Sequence, residues 1–260
     1  MLRIYLLAFV TLFLQPAFAA NCDSSAPFRF PDGSKYKGEF KDGLLNGEGV
    51  LEWPGGARYK GEFKDGLIHG DGVFYKYDGA IHEGEFSKGL LIKGKITEAS
   101  EMILRGTFVN GLLEGKGEIY YSGGDIYKGE IKAGYEDGKG VMHTYNGDLI
   151  VGEFSRGVLH GKVSIAYVVG GAFRGTYVDG VKSGGGETIY PNGDMHTGSY
   201  ANDLPNGPGI FVKSRGDKYE GEFKNGEFHG QGIYQKSNGT KLVGYFIYGE
   251  YIGQASPEHK

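Results

Sequence analysis

Seven histidines and a run of recurring glutamates are the side chains here best suited to hold a metal or move a proton. His69, His160 and His229 each stand just before a Gly-x-Gly tripeptide. A metal needs three or four ligands converging within a few ångströms, and residues that hold the same place in well-separated copies of one pattern do not converge. His82 and His196 stand where other copies carry tyrosine, so they read as packed rings. Glu39, Glu62, Glu85, Glu130, Glu153 and Glu222 recur in the same way, several of them two residues after a lysine (Lys37, Lys60, Lys128). On a strand that spacing makes a solvated cross-strand charge ladder, not a carboxylate pair for acid-base work. Ser183-Gly184-Gly185-Gly186 lacks the lysine and the following helix of a phosphate loop, and no Gly-x-Ser-x-Gly, HExxH or CxxC occurs. No catalytic residue, cofactor or metal is therefore expected, and the chain reads as non-enzymatic.

What distributes these residues is a repeat. Tyr59 to Gly72 reads YKGEFKDGLIHGDG, Tyr36 to Gly49 reads YKGEFKDGLLNGEG, and Tyr219 to Gly232 reads YEGEFKNGEFHGQG. Aligned on the third position, glycine returns at Gly38, Gly61, Gly84, Gly106, Gly129, Gly152, Gly175, Gly198, Gly221 and Gly244, with a step of 23 residues broken once. The fifth position is aromatic in every copy except the one with Ile131. Alternate side chains on a strand share a face, so positions one, three and five read aromatic, glycine, aromatic, while the charged positions two and four face the other way. Glycine between two rings implies close approach by a ring from a neighbouring strand. The Gly-x-Gly half is a second strand, reached through a loop such as Lys41 to Asn46. Asp32-Gly33, Gly55-Gly56, Asp78-Gly79 and Asn146-Gly147 between copies suit two-residue hairpin turns. One covered face and one wet face predict an all-β, antiparallel architecture.

These residues resemble the MORN repeat (membrane occupation and recognition nexus), whose motif runs Tyr-x-Gly-x-Trp/Phe, then Gly, then Gly-x-Gly. The resemblance covers about ten copies from Tyr36 to Gly253, after a half copy containing Phe28 and Phe30. It implies an elongated, twisted antiparallel sheet of tandem 23-residue hairpins, solenoid-like in its succession. With no linker inside the array, one repeat domain at 36–253 is expected, preceded by a lead-in at 20–35 and followed by a polar tail at 254–260.

Residues 1–19 are a basic start, an apolar run and Ala17-Phe18-Ala19, which together read as a secretory signal peptide cut after Ala19. The expected destination is the periplasm or the exterior. Cys22 is the only cysteine, so no intramolecular disulfide can form. The net charge is −4, or −5 once Arg3 leaves with the signal peptide, which gives no bulk attraction to nucleic acid or to an anionic bilayer. Two copies are irregular. The third carries four residues between Gly89 and Gly94, one more than usual, which predicts a bulge or bend. The eighth has Asp203 in place of a loop glycine, with Pro205 and Pro208 nearby.

These observations point to an exported, protein-binding scaffold. Its candidate contact face is the aromatic row Tyr36, Phe40, Tyr59, Phe63, Phe86, Phe108, Tyr127, Phe154, Phe173, Tyr177, Tyr200, Tyr219 and Phe223, with self-association through the sheet ends as a further expectation. Peripheral lipid or cell-envelope binding is the alternative that the family's name suggests, and glycan stacking on tyrosines is a weaker one.

Overall fold

The computed structural model describes residues 26–254; the leader at 1–19, Cys22 and residues 255–260 of the tail lie outside the described residues. Within them are 21 strands and no helix. The strands fall into two compact units, divided between Ile92 and Lys93. In each unit successive strands pair antiparallel, as in Lys35–Lys41 with Leu44–Glu52, then Leu44–Glu52 with Arg58–Lys64. The all-β tandem-hairpin architecture is thus observed.

The two kinds of turn are exchanged relative to expectation. Inside each repeat the reversal takes two residues: Lys41 pairs with Leu44, and Asp42 and Gly43 have φ of 52° and 79°. Two consecutive positive φ values make a type I′ turn, whose twist matches that of the flanking strands. Between repeats the loop has three residues. Trp53 N–H donates to Ala57 O, Gly56 N–H donates to Trp53 O, and in that loop only Gly56 has positive φ. The Asp-Gly and Gly-Gly pairs there serve a turn that needs one left-handed residue, not two.

A second feature is absent from the sequence reading. Each complete hairpin in the described registers jumps by two residues on its return strand. Gly38 faces Gly49 but Phe40 faces Leu45, and Gly61 faces Gly72 but Phe63 faces Ile68. The same jump follows Gly129, Gly152, Gly175 and Gly198. The extra pair, Gly47-Glu48 in the first repeat, is matched only on its other side, by Phe63 and Glu62. A one-residue slip would send every following side chain to the opposite face. A jump of two keeps the alternation in phase, so inward and outward positions stay as the sequence pattern assigned them.

The third repeat is corrected by its register. Gly94 pairs with Gly106 just as Gly49 pairs with Gly61, which makes Gly94 the second glycine of the Gly-x-Gly. The return strand Leu90–Thr97 therefore has 8 residues where Leu44–Glu52 has 9. One residue has been lost, not gained, and the missing position is the one held elsewhere by the positive-φ glycine.

The glycine pairs are covered by a ring, and it comes from their own strand. A Cβ on Gly38 would lie 2.4 Å from the Tyr36 hydroxyl and 2.6 Å from Glu48 O, and one on Gly49 would also lie 2.4 Å from that hydroxyl. Tyr36 thus lies flat across the facing pair Gly38 and Gly49. Its hydroxyl donates to Glu39 O at 3.0 Å and Asn46 O at 3.4 Å, the carbonyls at the two sides of the register jump. Tyr59 and Tyr219 repeat the arrangement on Glu62 O with His69 O, and on Glu222 O with His229 O. Gly72→Ala is expected to expel the Tyr59 ring and cost about 3–5 kcal/mol, the size of losing a buried aromatic side chain. Gly185 has open space and no positive φ, so Gly185→Ala should be neutral or stabilising by up to about 1 kcal/mol. Chemical denaturation of the two variants beside the parent protein checks the contrast.

Candidate functional site

Of the thirteen rings in the candidate contact face, twelve are buried. Tyr36, Tyr59, Tyr127, Phe173 and Tyr219 are at most 1% exposed, and only Phe40, at 45%, stands open. They form the core, because Tyr36, Tyr59, Phe173 and Tyr219 each meet the fifth-position ring of their own repeat and of the next, edge to face. Tyr36 lies 5.1 Å from Phe40 and 5.2 Å from Phe63; Phe173 lies 5.5 Å from Tyr177 and from Tyr200; Tyr219 lies 5.3 Å from Phe223 and 5.0 Å from Phe246. Such pairs add about 0.5–1.5 kcal/mol each beyond the area they bury. Among the described residues only the half copy lies before Phe40, and its Phe28 covers that ring only edge-on at 5.7 Å. Burial raises the hydroxyls of Tyr36, Tyr127 and Tyr219 to about 12, so they remain donors.

The surface that remains is the opposite face. Lys37, Lys60, Glu62, Arg105, Lys128 and Arg174 are exposed there. The recurring fourth-position glutamates fold onto the register jump: a Cβ on Gly47, Gly70 or Gly161 would meet the carboxylate of Glu39, Glu62 or Glu153 at 2.3–2.4 Å. Glu62 also accepts from Asp71 N–H at 3.3 Å. These carboxylates thus serve the bulge as well as the solvent. Glu118 is the cross-strand partner that the charge ladder calls for, 3.0 Å from Lys128 and 3.9 Å from Arg105.

A third set of contacts joins the three-residue loops. Asp125 accepts from Tyr145 N–H at 2.8 Å, Asp148 from Val168 N–H at 2.9 Å, Asp194 from Ser214 N–H at 2.9 Å, and Asp217 from Ser237 N–H at 3.0 Å. That amide, with the Tyr234 hydroxyl and the Arg215 guanidinium, holds the Asp217 carboxyl down at about 2.

Two charged residues at core positions, Glu136 buried and Lys182 half-buried, escaped the sequence reading. Glu136 and Lys182 occupy the return-strand place held by Leu45, Leu91 and Leu113. Glu136 is buried and accepts from the Tyr121 hydroxyl. Lys182 lies 4.4 Å over the Phe173 ring, and burial lowers its ammonium from the ordinary lysine value. The signal was there, a charged residue at a leucine position, but it is visible only once the repeats are aligned on that position.

His196 is fully buried in place of the tyrosine. Its Nδ1 lies 2.7 Å from the Tyr200 hydroxyl, which in turn lies 2.6 Å from Thr188 Oγ1, and Phe223 packs at 4.7 Å. Its Nε2 has no partner. His82, half-buried, contacts Phe74 at 6.4 Å. Among the described residues no group of three or more His, Cys, Asp or Glu is placed to hold a metal, and His69 and His229 lend only backbone carbonyls to the tyrosine hydroxyls.

The MORN repeat model matches residues 36–58, 59–81, 105–126, 127–149, 151–162, 173–195, 196–218 and 219–241. No curated protein matches. Among solved structures, the chain is similar to the TCP domain of SAS-4 (dCPAP) of Drosophila melanogaster, solved with a proline-rich motif of Ana2, at 13% identity, 68% of this chain, 85% of that one and a TM-score of 0.34. It is also similar to the CPAP G-box domain, at 11% identity, 76% and 98% coverage and a TM-score of 0.38. The TCP10 domain of Danio rerio CPAP with a STIL peptide gives 13%, 84%, 96% and 0.25. At such scores nothing about this chain rests on these likenesses.

Burial pushes both His82 and His196 down to about 4 from an ordinary 6.5. The unfolded chain takes up these protons near pH 6.5 and the folded chain only near 4. Their contribution to stability is therefore complete above 6.5 and is lost as pH falls towards 4, at up to about 1.4 kcal/mol per pH unit per group. His196→Tyr should flatten that slope, as read from denaturation midpoints between pH 7 and pH 4 (about 0.5-unit steps suffice).

Proposed function

Because the chain belongs to the MORN repeat family, we propose that it acts as an exported, non-enzymatic scaffold that binds protein. The carrying observation is the division between its two faces. The aromatic row at the first and fifth repeat positions, Phe40 apart, is spent on the core, while the opposite face keeps charged side chains exposed to solvent. Charged side chains recur from repeat to repeat among the described residues, which suits a ligand that lies along several repeats. Self-association is a further part of the reading: Phe28–Arg29 and Glu250–Gly253 each pair along one side only among the described residues, and an unpaired strand edge is a template for another chain.

A second reading, contact with lipid or the cell envelope, has one observation behind it. Neighbouring loop tips present Tyr145 at 78% exposure, Val168 at 61% and Val169 at 78%. Among the described residues no helix is long and apolar enough to cross a membrane.

Affinity capture with the mature protein from its own cell envelope is expected to retain a specific protein, and the purified mature chain should begin at Ala20 by mass spectrometry. Recovery of no protein, together with co-flotation of the chain with vesicles, would replace the first reading by the second.

A further inference from the structure

One place on the charged face changes sign along the chain. It is the fifth residue of each nine-residue return strand: Glu48 and Asp71 in the N-terminal unit, Lys116, Lys139 and Lys162 in three successive repeats of the C-terminal unit. In the N-terminal unit these acids face acids, Glu48 opposite Glu62 and Asp71 opposite Glu85. The lysines instead line two depressions, of about 620 and 920 Å³, which share Lys128 and Lys139. Together the linings carry six cations against four carboxylates, in a chain whose net charge is −4.

Part of that negative charge is already engaged. Glu118 is held by Lys128 and Arg105, while Glu130 stands opposite Lys116 and Glu153 opposite Lys139 on the neighbouring strands. Lys162 Nζ donates to Thr176 Oγ1 at 2.9 Å. Lys116, Lys139 and Arg174 are exposed and make no ion pair among the described residues. Val141 and Val151 pair directly across the floor of the larger depression.

Resting on the protein-binding reading above, we propose that this trough takes an acidic segment of the partner in polyproline II conformation, with a carboxylate at every third residue. The spacing selects the conformation. Lys116, Lys139 and Lys162 are two strands apart, about 9.6 Å at the usual strand separation. A polyproline II segment has three residues per turn and rises about 3.1 Å per residue, so residues three apart project on one side at about 9.3 Å. A β-strand repeats a face every 6.8 Å or so. A helix does so at about 10.5 Å over seven residues, and would fall out of step by about an ångström per repeat. Non-acidic residues of the ligand would rest on Val141 and Val151. The stiff conformer loses little entropy on docking.

The test uses the mature protein and fluorescence anisotropy with a labelled peptide of six Glu-Pro-Pro units, beside a peptide of the same composition with its glutamates in one block. The spaced peptide should bind at least about tenfold more tightly, and its binding should weaken as salt is raised. Lys116→Glu, Lys139→Glu and Lys162→Glu together should cost at least tenfold, with Lys→Ser at the same three positions as the milder version should the reversal unfold the chain. Glu48→Lys with Asp71→Lys should leave binding unchanged. Equal binding of the two peptides, or undiminished binding by folded lysine variants, overturns the proposal. If the lysine variant captures the native partner as well as the parent does, the trough is wrong and the scaffold reading stands. If the parent captures nothing, both fall.

Discussion

A tyrosine ring laid flat on two facing glycines, with its hydroxyl bonded to the carbonyls beside a register jump, is the contact on which this molecule depends. In the repeats that carry tyrosine the parts support one another. A side chain on either glycine would occupy the space of the ring. Without the jump, the carbonyls of Glu39 and Asn46 would not be free to accept from Tyr36. Where the first position is Leu104, Ile150 or Phe173, the jump is kept without a hydroxyl. His196 shows the cost of departure: it fills the place of the ring, takes Tyr200 as its partner, which Thr188 in turn meets, and leaves Nε2 unmet.

From that contact follows the separation of duties between the two faces. Because the rings are linked edge to face from one repeat to the next, the apolar side is closed as a core, although it has only one layer of strands to cover. On the proposed reading a partner meets the other side, where side-chain identity is less constrained by packing. The fifth residue of the nine-residue return strands illustrates this freedom, being Glu48, Asp71, Lys116, Lys139, Lys162, Gly185, Pro208 and Gln231 along the chain. A surface can thus be written repeat by repeat on a scaffold that stays the same.

Much of this was legible in the residues. Glycine at a fixed step, with rings on either side, demanded hairpins in succession and an inward aromatic row, and strand alternation assigned the charged positions to the outside. What was not legible came from register. The jump of two residues leaves side-chain alternation intact, so a pattern of period two cannot reveal it. The same blindness made the third repeat look longer at Leu90 to Lys93, when pairing of Gly94 with Gly106 shows it to be shorter. Turn type was misplaced for a related reason: Asp-Gly and Asn-Gly suit both a two-residue turn and the end of a three-residue one, and the choice belongs to the pairing of the residues around them.

The candidate site divides along the same line. Composition and spacing alone determined that the chain is a tandem array of hairpins with one aromatic and one charged face, because those properties depend on which residues alternate. Only the tertiary structure decided which face is available. Rings that look like an exposed row in one repeat are buried by the rings of the next. The lysines of three repeats become one surface because neighbouring strands bring residues far apart in the chain to a common spacing.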